Sequence, residues 1–287
     1  MPPMPLPEPL IVALGPRRYR VERPWGEQAP AGKITDVAID GAGRVAVLAR
    51  TDPYTEAGPD PVRLFDTAGR ALGGFGAASI ADAHMIAPDG EGRLWVVDRD
   101  AHEIVGFDTS GRPVARLGRR GGPGEPFNHP SDIAFGPGGE IVVADGYGNG
   151  RVHVFGPDLA HRVSFGAVGS GPGEFMTAHG VWVTLDRRIV VADRENDRLQ
   201  VFDLDGTLLA IWTGFRRPSD IWGDAAGRLY VTDGIPTLTC LAPDGTRLGR
   251  CRPVLNGAHG LWGDDRDGTL YLAEGTPSRI TRLVPLP

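Results

Sequence analysis

Six copies of one short pattern constrain the fold of this chain more than any other feature of its sequence. Each copy has a small or hydroxyl-bearing residue, then Asp or His, then a short, mostly apolar stretch. The copies lie at intervals of between 39 residues (220 to 259) and 48 residues (36 to 84). They begin at Thr35, Ala83, Ser131, Ala178, Ser219 and Ala258. A repeat of this period along a whole chain is typical of solenoids and propellers.

Further strands follow each copy in a regular order. After a Gly-containing turn comes an apolar strand that usually ends in an acidic residue, as in EIVVAD (140–145), and most units continue to a third and a fourth strand. Four strands make one propeller blade. The sequence therefore predicts an all-β, six-bladed β-propeller that forms a single domain over residues 1–287. Its blades are expected to start near residues 34, 83, 130, 178, 218 and 258.

The two ends of the chain are expected to meet in one blade. The last unit stops after its third strand, at ITRLVPLP, whereas residues 17–26 (RRYRVERPWG) resemble a fourth strand without a unit of its own. An unpaired edge between the first and last blades is unfavourable. We therefore predict that this N-terminal strand closes the ring by completing blade six.

Charge and composition exclude several classes of partner. The net charge of −6, without any run of Lys or Arg, offers no field for nucleic acid or for a lipid surface. The N-terminal stretch has neither a basic segment nor a long apolar run, so we expect a cytoplasmic protein. The absence of a basic surface favours a small-molecule partner, and we expect the protein to be a monomer. The two cysteines, Cys240 and Cys251, are interpreted as buried thiols, although they flank one turn and could face each other.

Asp and His alternate around the predicted ring at the second position of each copy. The histidines occupy blades two, four and six as His84, His179 and His259. Because the innermost strands of a propeller line its channel, three imidazoles on alternate blades can converge on one ion. We therefore predict a metal site there; zinc suits it, as do iron, cobalt, nickel and copper.

The other members of the ring and the remaining histidines are interpreted as structural. Asp36, Asp132 and Asp220 precede apolar strands, where a carboxylate often accepts backbone N–H bonds. His102, His129, His153 and His161 have no matching partners in the repeat.

Arginines and a tyrosine follow the second strands near one rim. Equivalent places in three blades are occupied by Arg50, Arg99 and Arg194. Guanidinium groups bind carboxylates through paired hydrogen bonds. We therefore predict an anionic substrate, with Arg99 among the residues that bind it. Arg–Asp pairing between neighbouring blades is the alternative. Tyr147 lies between two glycines, and a phenol beside a bound cation can act as a base, although most turn tyrosines are simply exposed.

Two segments carry a specific resemblance. DGYGNGR (145–151) and ADRENDR (192–198), with the blade repeats around them, closely resemble the catalytic core of peptidyl-α-hydroxyglycine α-amidating lyases, which are six-bladed propellers of the NHL-repeat type. The resemblance implies a catalytic zinc held by the three histidines, Tyr147 as the base, and Arg50 and Arg194 as active-site arginines. It implies cleavage of the C–N bond of an N-acyl-α-hydroxyglycine, or a related carbinolamide, to an amide and glyoxylate without a redox cofactor.

The chain also departs from that family. Gly260 stands directly after the third histidine, where the family has an Asp that helps to bind a structural calcium, and this weakens the expectation of a calcium site. Arg99 is a cation that the family pattern does not require. Two alternatives therefore stay open: a metal-dependent hydrolase or hydratase acting on another small anionic substrate, and a non-enzymatic scaffold or binding propeller, since fold does not fix function.

Overall fold

Neighbouring sheets of this protein are arranged in a ring. The computed structural model describes residues 9–27, 32–50 and 60–287, and these form six antiparallel sheets with few residues outside strands and turns. The innermost strand of each sheet contacts the innermost strands of the sheets before and after it, and the last contacts the first. The predicted all-β, six-bladed propeller is confirmed.

The strands follow the chain in blade order. The N-terminal segment forms β1 (Ile11–Leu14) and β2 (Arg17–Trp25). Blade one contains β3 (Lys33–Ile39), β4 (Val45–Arg50), β5 (Val62–Phe65) and β6 (Ala71–Phe75). Blade two contains β7 (Ala83–Pro88), β8 (Leu94–Asp98), β9 (Glu103–Phe107) and β10 (Pro113–Gly118). Blade three contains β11 (Asp132–Phe135), β12 (Ile141–Asp145), β13 (Arg151–Phe155) and β14 (His161–Phe165).

The second half of the ring repeats this order. Blade four contains β15 (Ala178–Val183), β16 (Ile189–Asp193), β17 (Arg198–Phe202) and β18 (Leu208–Thr213), with a 3₁₀ turn at Arg194–Asn196. Blade five contains β19 (Pro218–Gly223), β20 (Leu229–Asp233), β21 (Leu238–Leu241) and β22 (Arg247–Cys251). Blade six contains β23 (Ala258–Gly263), β24 (Leu270–Gly275) and β25 (Ser278–Pro285).

One turn sequence, Asp-x-x-Gly-Arg, joins strands in several blades. In its first copy, Oδ1 of Asp40 accepts the N–H groups of Ala42 and Arg44, and Oδ2 pairs with the Arg44 guanidinium at 2.7 Å. The glycine adopts a positive φ, which is 77° at Gly43, a conformation that glycine tolerates best. The same sequence and ion pair recur at 66–70, 89–93, 108–112 and 224–228.

The hydrophobic core lies between the blades. In the cluster between blades one and two, for example, Leu48 packs with Ile86 and Val96, and all three are buried. Both faces of each central strand are covered by a neighbouring blade, so these strands are almost continuously apolar instead of alternating. This packing fixes the inner ends of the blades around the channel.

The N-terminal strand closes the ring, as predicted. β2 pairs with β25 from Tyr19, opposite Pro285, to Trp25, opposite Ile280. The sheet differs from the prediction in one respect, because β1 pairs with β2 and gives blade six a fifth strand. Leu14 at the end of β1 is buried in a cluster that includes Cys240 of blade five, and this contact stabilises the added strand.

Two further features complete the description. Cys240 and Cys251 are free thiols, and Cys240 lies opposite Gly249 in the hairpin, so the two cysteines do not form a directly opposed pair. Cys240 is buried, whereas Cys251 is only half-buried. In the part of the chain that the structure describes, no helix has the length and apolar character needed to cross a membrane.

Candidate active site in the central channel

The three histidines of the repeat meet in the channel. His84, His179 and His259 are each the second residue of an innermost strand, in blades two, four and six. One ring nitrogen from each lies within 4.8 Å of the others, and the ring centroids are 4.9 to 5.2 Å apart. The shared register thus brings together side chains that are distant in sequence. Among the described residues, the other four histidines join no such group.

Each of these imidazoles is oriented by a backbone carbonyl of the following blade. Nδ1 lies 2.6 Å from the Ser131 carbonyl in His84, 2.7 Å from the Ser219 carbonyl in His179, and 2.8 Å from the Thr35 carbonyl in His259. A carbonyl only accepts, so Nδ1 carries the proton and donates it. Nε2 therefore presents a lone pair toward the centre in all three rings.

Burial keeps the three imidazoles neutral. Loss of solvation lowers the pKa of His84 and of His179 well below the usual value, with further contributions from neighbouring positive charge. For His259, burial is the main cause that lowers the pKa to about 4; the Thr35 carbonyl opposes it, and the nearby cations Arg194, Lys33 and Arg50 each lower the pKa by a smaller amount. Neutral imidazole is the form that binds a metal ion.

Tyr147 reaches the histidines from blade three. Its hydroxyl lies 3.0 Å from Nε2 of His84 and 3.0 Å from Nε2 of His179. A β-carbon at Gly146 would overlap the backbone of Ala178, and one at Gly148 would overlap Asn128. The two flanking glycines thus allow this turn to pack against its neighbours and direct Tyr147 into the channel.

The donor set fits a metal ion. Three Nε2 lone pairs face one point, and the Tyr147 hydroxyl has one hydrogen to offer them. At least two of these lone pairs are therefore left without a proton donor among the described residues. A cation bound between the three nitrogens would relieve the repulsion between them. Three histidines with an open position are a known ligand set for zinc.

The predicted arginines lie around Tyr147 but differ in their partners. Arg194 donates to the Tyr147 hydroxyl at 3.1 Å, and its guanidinium carbon is 5.4 Å from the ring centroid. Arg99 lies on the ring at 5.2 Å. Arg50 and Arg99 both pair with Asp82, at 2.8 Å and 3.0 Å. The pairing of Arg50 with Asp82 joins blades one and two, which is the alternative stated for these arginines, although no motif in the sequence singled out Asp82 as the partner.

The three aspartates of the ring join neighbouring blades. Oδ2 of Asp36 accepts the N–H of Ile86, Asp132 that of Val181, and Asp220 that of Leu261, at 2.7 to 2.8 Å. Each carboxylate thus binds the strand that carries the next histidine, at the backbone N–H two residues after that histidine. All three carboxyl groups are buried, which raises their pKa values, to about 7 for Asp220. Their contacts agree with a structural role.

The acidic residues that end the second strands hold the loops leading into the channel. Asp98 accepts the N–H groups of Ala81 and Asp82, and Asp145 accepts that of Asn128. Asp193 and Glu274 bind the corresponding loops through Met176 and Leu255. These carboxylates are buried and are therefore part of the scaffold beneath the site.

A cavity opens beside His259. Its volume is about 320 Å³, and it is bounded by blades one, four, five and six. Lys33, Arg194 and Arg217 supply its cationic side chains. No repeat or motif singles out Lys33 or Arg217 in the sequence; the one signal for Lys33 is that it is the only lysine of the chain.

Comparison with known proteins agrees with this fold. The NHL repeat model matches residues 127–155, which include Tyr147. A probable peptidyl-α-hydroxyglycine α-amidating lyase of Caenorhabditis elegans is 35% identical over 135 residues, covering 45% of this chain and 39% of that protein. A peptidylglycine α-amidating monooxygenase of Rattus norvegicus is 36% identical over 134 residues, covering 42% of this chain and 14% of that protein.

Solved structures show the same architecture at lower identity. A gluconolactonase from Xanthomonas campestris superposes with a TM-score of 0.73 at 17% identity, covering 98% of this chain and 96% of that one. At this identity the likeness shows the fold alone. The sequence matches are more specific, although they span less than half the length of the worm and rat proteins. The chain is therefore a six-bladed β-propeller with an NHL repeat that is similar in sequence to peptidyl-α-hydroxyglycine α-amidating lyases.

Proposed function

We propose that this protein is a metal-dependent lyase, with zinc as its metal, that cleaves the C–N bond of an N-acyl-α-hydroxyglycine or a related carbinolamide. The products are an amide and glyoxylate. The observation that carries the proposal is the position of the Tyr147 hydroxyl, within 3.0 Å of two histidine Nε2 atoms and 3.1 Å of Arg194. The name of the worm relative, a probable amidating lyase, supports the same reaction class.

The metal would be held by Nε2 of His84, His179 and His259. When bound, it supplies Lewis acidity that increases the acidity of a hydroxyl group in contact with it. The carbonyl partners of the three Nδ1 atoms hold the rings in the orientation that this binding requires.

Tyr147 is assigned the proton transfers. Tyr147 would first lose its own proton to solvent. As the base, its oxygen then takes the proton of the substrate hydroxyl, the O–H electron pair forms the aldehyde C=O bond, and the C–N bond breaks with its electrons going to nitrogen. The same oxygen then returns the proton to the amide nitrogen, so the step is balanced without another reactant. The adjacent Arg194 guanidinium stabilises negative charge on the phenol oxygen while the proton is away.

The arginines are assigned to the carboxylate of the hydroxyglycine. Arg194 is the nearer, because it already lies at the phenol oxygen. Asp82 holds Arg50 and Arg99 together, and stacking of Arg99 on the ring keeps Tyr147 in place. A substrate fixed at its carboxylate presents its hydroxyl to Tyr147 in a single orientation.

The test is the stoichiometric release of two products. Zinc-loaded protein is incubated with N-benzoyl-α-hydroxyglycine, and glyoxylate and benzamide are measured against the spontaneous rate. We expect equal amounts of both, and a loss of release when the protein is first treated with a chelator. Metal-loaded protein that releases neither product from a panel of N-acyl-α-hydroxyglycines would contradict the lyase and favour a hydrolase or a binding propeller.

A further inference from the structure

The cavity beside His259 collects more positive charge than the proposed reaction uses. Its cations are Lys33, Arg194 and Arg217. Among the described residues, the carboxylate that pairs with their side chains is that of Glu195, which accepts from Arg194 at 2.9 Å and from Arg217 at 3.0 Å. Three positive charges and one negative charge leave a net charge of about +2 on this side. The carboxylate of a hydroxyglycine bound at Arg194 would neutralise half of it.

Among the described residues, the predicted arginines Arg50 and Arg99 carry no such excess. Arg50 and Arg99 share Asp82, and Arg99 also pairs with Asp100 at 2.8 Å. Two positive and two negative charges cancel there. An anionic group that enters the channel mouth is therefore attracted to the side of Lys33 and Arg217.

Lys33 stands out among the cations of the chain. It is the only lysine, whereas every other basic residue among the 30 is arginine. Its side chain crosses Gly275, since a β-carbon there would be 2.6 Å from Cε of Lys33. Within the described residues it makes no ion pair. An ammonium on a flexible stem suits an anion at the open end of a cavity.

Arg217 is held in an unfavourable backbone conformation that fixes its position at the cavity. Its φ is 52°, in the left-handed region that residues other than glycine rarely adopt. The surroundings maintain it, because Asp197 accepts its N–H at 2.7 Å and its carbonyl accepts the N–H of Gly234 at 2.8 Å. Strain of this kind is concentrated at binding and active sites.

From these observations we propose that the cavity is a second anion subsite, formed by Lys33 and Arg217, and that the preferred substrate has an acyl group with its own carboxylate. The substrate is then a dianion with one carboxylate at Arg194 and the other beyond His259. This inference rests on the proposed lyase for the identity of the reaction, but the subsite itself can be tested by binding alone.

Two unreactive ligands provide the binding test. N-succinylglycine and N-butyrylglycine both lack the α-hydroxyl group. The acyl chain of the first ends in a carboxylate, and that of the second ends in a methyl group. Calorimetry with zinc-loaded protein should show about tenfold or more tighter binding of N-succinylglycine, the gain expected for one charge-assisted contact. Equal affinity for the two ligands would overturn the subsite.

Variants assign the preference to residues. Lys33→Met and Arg217→Met should each reduce the affinity ratio toward one, whereas Arg112→Met, at an exposed turn of blade two, should keep it. Arg217→Gly provides a second variant, because glycine tolerates the left-handed backbone and removes only the side chain. Melting curves identify variants that fail to fold. An unchanged ratio in folded Lys33 and Arg217 variants would contradict the assignment.

The single lysine allows an independent readout. An amine-selective acylating reagent can modify only Lys33 and the N-terminal amine, and mass spectrometry of the Lys33 peptide measures the rate. N-succinylglycine should slow this modification several-fold, as expected for an amine engaged in an ion pair, and N-butyrylglycine should slow it much less. Equal rates with and without N-succinylglycine would count against the subsite.

Catalysis separates this inference from the proposed function. N-succinyl- and N-butyryl-α-hydroxyglycine are compared for glyoxylate release, and the subsite predicts the higher kcat/KM for the succinyl compound. If the binding preference is found but neither compound releases glyoxylate, the subsite stands and the lyase fails. If both release glyoxylate equally and no binding preference exists, the lyase stands and the subsite fails.

Discussion

The hydroxyl of Tyr147 lies 3.0 Å from Nε2 of His179, although the two side chains come from different blades. Tyr147 is on the turn after the second strand of blade three, and His179 is on the innermost strand of blade four. Two glycines beside Tyr147 make this approach sterically possible. The site is thus assembled by contact between neighbouring blades, and its parts can be altered one at a time.

Tyr147→Phe removes the proposed base and keeps the ring between Arg99 and Arg194. We expect kcat for carbinolamide cleavage to fall by roughly 10²- to 10⁴-fold, the usual contribution of a positioned acid or base. Zinc content and melting temperature should change little. Tyr230→Phe, whose hydroxyl bonds to Asp224 away from the channel, is the matched control and should keep its turnover. Near wild-type turnover in Tyr147→Phe would remove this residue from the mechanism.

Alanine at any one of the three channel histidines should abolish stoichiometric metal binding. The wild type is expected to hold about one zinc or other transition-metal ion per chain, because three imidazoles complete the protein's share of a tetrahedral site. Metal analysis of His84→Ala, His179→Ala and His259→Ala measures the loss. His161→Ala, at an exposed position of blade three, is the control and should bind like the wild type. Full metal content in all four variants would mean that the ion binds elsewhere.

Asp233 should make the free energy of unfolding depend on pH. Burial raises its pKa to about 6, from 3.8 for an unperturbed carboxyl, and the hydrogen bond from Thr237 opposes this only in part. A carboxyl whose pKa is raised by folding stabilises the folded state when protonated. Its contribution is therefore full below pH 3.8 and is lost as the pH rises to about 6.

Denaturant unfolding of Asp233→Asn at several pH values checks this sign. The unfolding free energy of the wild type minus that of the variant should decrease between pH 3.8 and about 6 and stay constant above that range. Asp205→Asn, at an exposed turn position, should show no such trend. A difference that increases with pH over the same range would contradict the raised pKa.

Removal of residues 1–26 should destabilise the propeller severely. This deletion takes away β2, which pairs with β25 along its length and contributes the buried residues Tyr19 and Trp25. The edge of β25 would be left unpaired. Removal of residues 1–15 takes away only β1 and should cost less. Thermal melting compares the two, and equal melting temperatures for the longer deletion and the full chain would contradict closure through β2.

The fold could be predicted because its unit repeats. Six copies set the number of blades, and the predicted blade starts lie within two residues of the first residue of each innermost strand. β1 was missed, because its four residues, IVAL, lie next to prolines and belong to no repeat. An edge strand of this length has no periodicity to recognise, and it is stabilised here by burial of Leu14 against blade five.

Parts of the candidate site could also be predicted, and for the same reason. The register of the repeat places His84, His179 and His259 at one height, and the structure brings them together. The carbonyl partners of their Nδ1 atoms lie on other blades, and Asp82 pairs with Arg50 of blade one as well as with Arg99 of its own blade. No local pattern in the sequence encodes these contacts. Lys33 approaches His259 only because the ring closes, so its place at the cavity required the structure.

The bonds around the inner ring alternate in kind. Carboxylates of blades one, three and five accept from backbone amides of the next blade, and imidazoles of blades two, four and six donate to backbone carbonyls of the next. Blade six thus reaches blade one through His259 and Thr35, and the sequence of bonds returns to its start. Such an alternation can close only on an even number of blades. Gain or loss of a single blade would set two carboxylates or two imidazoles side by side, so a protein with this ring can change its size only by pairs of blades.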